Sequence, residues 1–115
     1  MTAATATSNP TVAAPQARFP HWQDIVVYSP EGPQPQFLLG AEQFKVLMVG
    51  LEAGQSIPVH PEALAMYHFL SGTGAMTVNG ETLPVQAGDT VITPAGASRG
   101  IVAETKLAFL AAKPG

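Results

Sequence analysis

The chain has no cysteine in its 115 residues. This excludes disulfides, thiolate nucleophiles and cysteine-ligated zinc or iron–sulfur centres, and it fits a cytoplasmic protein. Charge is scarce, at 11% of residues, and the net charge is −3. The five basic residues Arg18, Lys45, Arg99, Lys106 and Lys113 are dispersed and form no stripe, so nucleic acid is not an expected partner. No apolar run approaches the roughly 20 residues of a membrane span, and no membrane partner is expected. The opening residues lack the basic start and continuous apolar stretch of a secretory signal. Helical periodicity is missing too: no window of about eleven residues keeps it without a Gly or Pro inside.

Hydrophobic residues make up 46% of the chain, with eleven Gly and eleven Pro, which suits one well-filled domain rather than a disordered chain. Residues 1–17, uncharged and rich in Ala, Thr, Pro and Ser, are expected to form a flexible tail. Residues 18–39 read as an N-terminal arm with strands, and 40–112 as the main barrel. Strand-like runs fall at Asp24 to Ser29, Gln36 to Leu39, Phe44 to Val49 and Ile57 to His60, the last an edge strand because Pro58 cannot donate to a ladder. Further runs cover Met66 to Leu70, Ala75 to Val78, Glu81 to Val85, Thr90 to Thr93, Ser98 to Val102 and Lys106 to Ala111. Asn79-Gly80 is the strongest hairpin signal. About ten short strands at this spacing indicate an all-β sandwich or barrel.

Three segments punctuate the barrel: Gly54 to Glu62, Phe69 to Gly74 and Gly88 to Gly96. Their glycines stand where one strand-like run yields to the next, and Pro94 ends the run before it. With that spacing the chain resembles the cupin superfamily, as a small single-domain cupin of the conserved-barrel type. The resemblance covers roughly residues 40–112. It implies a double-stranded β-helix, or jelly-roll, barrel that pairs as a homodimer; the segment from Phe19 to Val27, with Trp22 and Tyr28, is a candidate for adding a strand to a neighbouring subunit.

The family's pattern holds a metal on three histidines and a glutamate, and here the positions have changed. His60 matches the first histidine, while Glu62 takes the place of the second. The glutamate position falls on Ala65, with one residue fewer in the preceding loop. Arg99 stands for the third histidine, and Ala103 for the asparagine that follows. His60 and Glu62 lie on one face of a strand by alternation. Counting back from Gly72 turns Tyr67 and Phe69 inward and His68 outward, although the shortened loop leaves His68 open as a third ligand. His21, in the arm, would have to fold back or come from a partner chain. A divalent metal (Fe, Mn, Ni or Zn) on His60, Glu62 and His68 is disfavoured by Ala65, and more by Arg99, whose permanent charge repels a cation.

Two classes of function follow. In the first, the barrel binds a small, anionic molecule without a full metal site. His60, Glu62 and Arg99 define that pocket, with apolar walls from Met48, Tyr67, Phe69 and Phe109; those walls are also ordinary core residues, and an internal Glu62–Arg99 ion pair filling the metal's volume is the plain structural alternative. In the second class the protein is a cupin enzyme. It is then either metal-dependent and dioxygenase-like, or a metal-free isomerase or lyase with His60 as base, oriented by Glu62, and Tyr67 as acid. The fold by itself decides between neither.

Overall fold

Asn79 and Gly80 both take positive φ, at 51° and 84°, and form the tight turn that hairpins β5 (Thr73–Val78) onto β6 (Glu81–Gln86). That conformation matches the right-handed twist of the flanking strands and suits few other residue pairs. The computed structural model describes residues 17–115; the tail expected over 1–17 lies, but for its last residue, outside them. The other strands are β1 (Gln36–Gly40), β2 (Lys45–Leu51), β3 (Ser56–Pro61), β4 (Ala65–Ser71), β7 (Thr90–Thr93), β8 (Ser98–Ala103) and β9 (Leu107–Lys113).

The strands form two antiparallel sheets. One has the order β1-β2-β9-β4-β7 and the other β3-β8-β5-β6. Their inner faces meet in a core that includes Leu47, Leu51, Phe69, Met76, Ile101 and Phe109. Each large side chain buried there contributes on the order of 1.5–3 kcal/mol against exposure. The architecture is all-β, as the spacing of turn residues predicts. Among the described residues the one helical element is the 3-10 turn Trp22–Asp24, and no helix is long and apolar enough to cross a membrane.

The strand expected at Asp24 to Ser29 is absent: residues 26–29 make no ladder. Both edges of β2 are taken, by β1 and β9, so the arm crosses the outer face of the sheet instead. A Cβ on Gly50 would lie 2.7 Å from the Val27 carbonyl oxygen and 2.9 Å from the Tyr28 ring. The β-branched run is therefore used for face packing rather than pairing.

β3 is an edge strand, as Pro58 requires. Its register against β8 shifts between Ile57 and His60, a bulge that bends the strand locally. Gly100 on β8 sits under that bulge. A Cβ there would come within 2.8 Å of Val59 Cγ2 and 2.9 Å of the Ile57 carbonyl oxygen. This close approach seats His60 directly opposite Arg99, and so sets up the site.

Candidate functional site

Arg99 is the buried cation of the barrel, with 4% of its side chain exposed. Its Nη2 donates to Glu62 Oε2 at 2.8 Å, and its Nη1 lies 3.2 Å from His60 Nε2. Glu62 is held just beyond β3 by backbone bonds to the turn before β8, Glu62 N to the Ala97 carbonyl and Gly96 N to its own carbonyl. A second cation reaches the same carboxylate oxygen from the opposite sheet, where Lys113 Nζ, at the end of β9, donates to Glu62 Oε2 at 2.8 Å. Glu62 thus ties the two sheets together at one end of the barrel.

The hydrogen bond from Lys113, together with the charges of Lys113 and Arg99, holds the Glu62 carboxyl down at about 2 against the desolvation that opposes it. It is ionised at neutral pH. Two cations against this one carboxylate leave the cluster with one unit of positive charge.

Beneath the cluster lies a cavity of about 250 Å³ between the sheets. Its walls are mainly apolar: Leu47, Val49, Ile57, Ile101, Phe109 and Ala111, with Pro33 and Pro35 from the loop before β1. His60, Lys113, Tyr67 and Arg99 also line it, the guanidinium carbon 4.9 Å above the Tyr67 ring centre, a favourable cation–π contact. Two buried side-chain atoms here have no hydrogen-bond partner, Tyr67 Oη and Arg99 Nε. Each such orphan costs about 1–3 kcal/mol if left unsatisfied. Burial pushes the Tyr67 hydroxyl up to about 12, with the Arg99 charge opposing, so it stays a neutral donor.

The structure brings His60, Glu62, Tyr67 and Arg99 together and separates the other candidates from them. Met48 faces the opposite side of its sheet, where it lines a separate apolar groove with Phe19, Trp22 and Leu110; Leu47 and Val49 are the inward residues, so Met48 is no wall of the cavity beside Arg99. Phe69 is fully buried and packs on Phe109 with ring centres 5.5 Å apart, but it does not line the cavity. His68 lies on the outer face and bonds Thr90 Oγ1 through Nδ1 at 2.8 Å, as the count from Gly72 predicts. His21 precedes the 3-10 turn in the arm. Lys113 is the residue that sequence reasoning missed. It shares the parity of Phe109 and Ala111 along β9, and that alternation was the available signal.

A divalent metal does not fit this donor set. His60 Nδ1 lies 2.8 Å from the Pro58 carbonyl, which can only accept, so Nδ1 carries the proton and Nε2 offers the lone pair in the neutral ring. That lone pair faces an Arg99 N–H, and Glu62 already holds two cations. Among the described residues no group of three or more His, Cys, Asp or Glu is placed to hold an ion, whereas such sites use three or four protein ligands.

The family model described as "Cupin domain" matches residues 47–112, more than half of the chain, and the chain belongs to that family. Solved structures agree on the fold. A conserved protein of unknown function from Streptococcus pyogenes has a TM-score of 0.77 at 24% identity, covering 86% of this chain and 88% of its own. An RmlC-like cupin from Desulfovibrio desulfuricans scores 0.76 at 21% identity, over 86% and 97%. A predicted oxalate decarboxylase from Thermotoga maritima scores 0.66 at 28% identity, over 70% and 77%. No curated protein matches the chain.

Proposed function

We propose that this cupin binds a small anionic molecule inside the barrel without a full metal site. The observation that carries the reading is the excess positive charge of the Arg99–Glu62–Lys113 cluster at a pocket that Arg99, Lys113 and His60 help to line. A buried, unneutralised charge is costly, and an anion in the cavity would remove that cost. The 28%-identical neighbour is described as a predicted oxalate decarboxylase; oxalate is a small carboxylate, which agrees with an anionic ligand here. The test is thermal unfolding at fixed ionic strength across a panel of small carboxylates. A ligand that binds the native state raises the midpoint with its concentration. Wild type should respond, and Arg99→Met and Lys113→Met should not; equal shifts in all three proteins would refute the reading.

A homodimer is part of the same proposal, and cytoplasmic location remains the expectation from composition. Support for the dimer comes from the outer face of the five-stranded sheet, where Phe44, Leu64, Met66 and Ile92 line an apolar groove and Ile92 is 67% exposed. Light scattering of wild type and Ile92→Lys tests it, with a monomeric wild type as the contrary result.

A further inference from the structure

Two cations share one oxygen of Glu62, and they are not held alike. Arg99 has a side chain 4% exposed. Its guanidinium stacks on the Tyr67 ring and directs Nη2 at Glu62 and Nη1 at His60. Lys113 is the last residue of β9, and its side chain is 18% exposed. An ammonium carries three N–H groups on a flexible four-carbon stem. Among the described residues Glu62 is its one hydrogen-bond partner. His60 is no rival donor in the neutral ring, because its N–H at Nδ1 goes to the Pro58 carbonyl. Lys113 is therefore the cation lining this pocket that combines spare donors with freedom to move.

Glu62 stays paired if Lys113 leaves it. Its Oε1 accepts from Ala63 N at 3.2 Å, and its Oε2 keeps the 2.8 Å bond from Arg99. We infer that Lys113 is the ligand-binding cation and that it exchanges partners: without ligand it donates to Glu62, and when a small anion enters it donates to the anion. Arg99 stays on Glu62 throughout. This rests on the anion-binding reading and deepens it, because it makes Glu62 an internal competitor for the ligand's own contact. A neutral molecule cannot match a carboxylate as partner to an ammonium, so the exchange selects for charge. Arg99 is a positioning residue: without it, Lys113 must remain as the sole cation on Glu62.

Isothermal titration calorimetry with benzoate and with oxalate on the full-length protein separates contact from net charge. Wild type has one surplus positive charge, from Arg99 and Lys113 against Glu62. Two double variants keep that surplus: Glu62→Gln with Arg99→Met leaves it on Lys113, and Glu62→Gln with Lys113→Met leaves it on Arg99. The first should bind at least as tightly as wild type, and the second should not bind. Glu62→Gln alone should bind about tenfold more tightly, since the competitor is gone, whereas Arg99→Met alone should lose binding. Equal affinity in the two double variants, or no gain in Glu62→Gln, would overturn the exchange and leave an anion site set by charge alone. Absence of binding in Glu62→Gln with Arg99→Met would also overturn it, and this variant carries no uncompensated buried arginine. Failure of wild type to bind either anion would overturn the anion-binding reading together with the exchange.

Discussion

Arg99 on the four-stranded sheet lies with its guanidinium carbon 4.9 Å above the ring of Tyr67 on the five-stranded sheet. The contact crosses the barrel; the guanidinium is near enough to act on the Tyr67 hydroxyl, but neither Tyr67 Oη nor Arg99 Nε has a well-formed hydrogen bond. Removing the tyrosine hydroxyl should therefore cost the empty protein nothing. Tyr67→Phe is expected to be as stable as wild type or more so by up to about 1 kcal/mol, since it deletes an unsatisfied buried group and keeps the ring. Urea unfolding measures this, and a clear loss of stability would show that the hydroxyl is satisfied after all.

Glu62 neutralises a buried charge, so its loss should be felt through Arg99. Breaking one partner of a buried ion pair costs about 3–5 kcal/mol, and Glu62→Gln is expected near the lower limit because Glu62 is a quarter exposed. Adding Arg99→Met to Glu62→Gln should recover most of that loss, since the uncompensated cation goes with it. A double-mutant cycle by chemical denaturation checks the coupling; additive losses would place the pair outside the energetics of folding.

The same carboxylate predicts a pH dependence. Its folded value of about 2 lies below the ordinary value of 4.5, mainly through the hydrogen bond from Lys113. A depressed carboxylate contributes stability that is fully present above its unfolded value and lost as pH falls through the folded one. Unfolding free energy should therefore drop between about pH 4.5 and pH 2, with a shallower drop in Glu62→Gln or Lys113→Met. Equal slopes in all three would contradict this assignment.

Gly100 positions the site through packing. In Gly100→Ala the new methyl would meet Val59 and the Ile57 carbonyl at under 3 Å, a clash with the bulge that faces His60 and Arg99. Overpacking of this kind costs about 1–3 kcal/mol. The variant should lose stability by that amount, measured by urea unfolding, and it should bind carboxylates more weakly.

Much of this arrangement was legible in the sequence, and for definite reasons. Positive-φ turns demand Gly or Asn, so Gly54, Gly72, Asn79-Gly80 and Gly88 mark strand boundaries and the hairpin. Alternation anchored at Gly72 put Tyr67 in and His68 out. It gave no phase for Met48, because β2 is apolar on both faces: the arm covers one side and the core the other. The run Ile25 to Tyr28 has strand composition but packs over Gly50 of β2, both of whose edges are already paired. Lys113 was hidden because β9 runs two residues past the expected end at Ala111, and its partner Glu62 is 51 positions away across the barrel.

The central claim is that an anion, and not a metal, completes the site, and it is tested most directly by titrating benzoate calorimetrically into protein stripped of metal with EDTA. Saturable binding that is unchanged by stripping and lost in Arg99→Met is the predicted result. Arg99→Met is expected to fold, because Lys113 still pairs with Glu62. Stoichiometric metal in the unstripped protein, lost in His60→Ala, together with benzoate binding that returns only when metal is restored, would contradict the account.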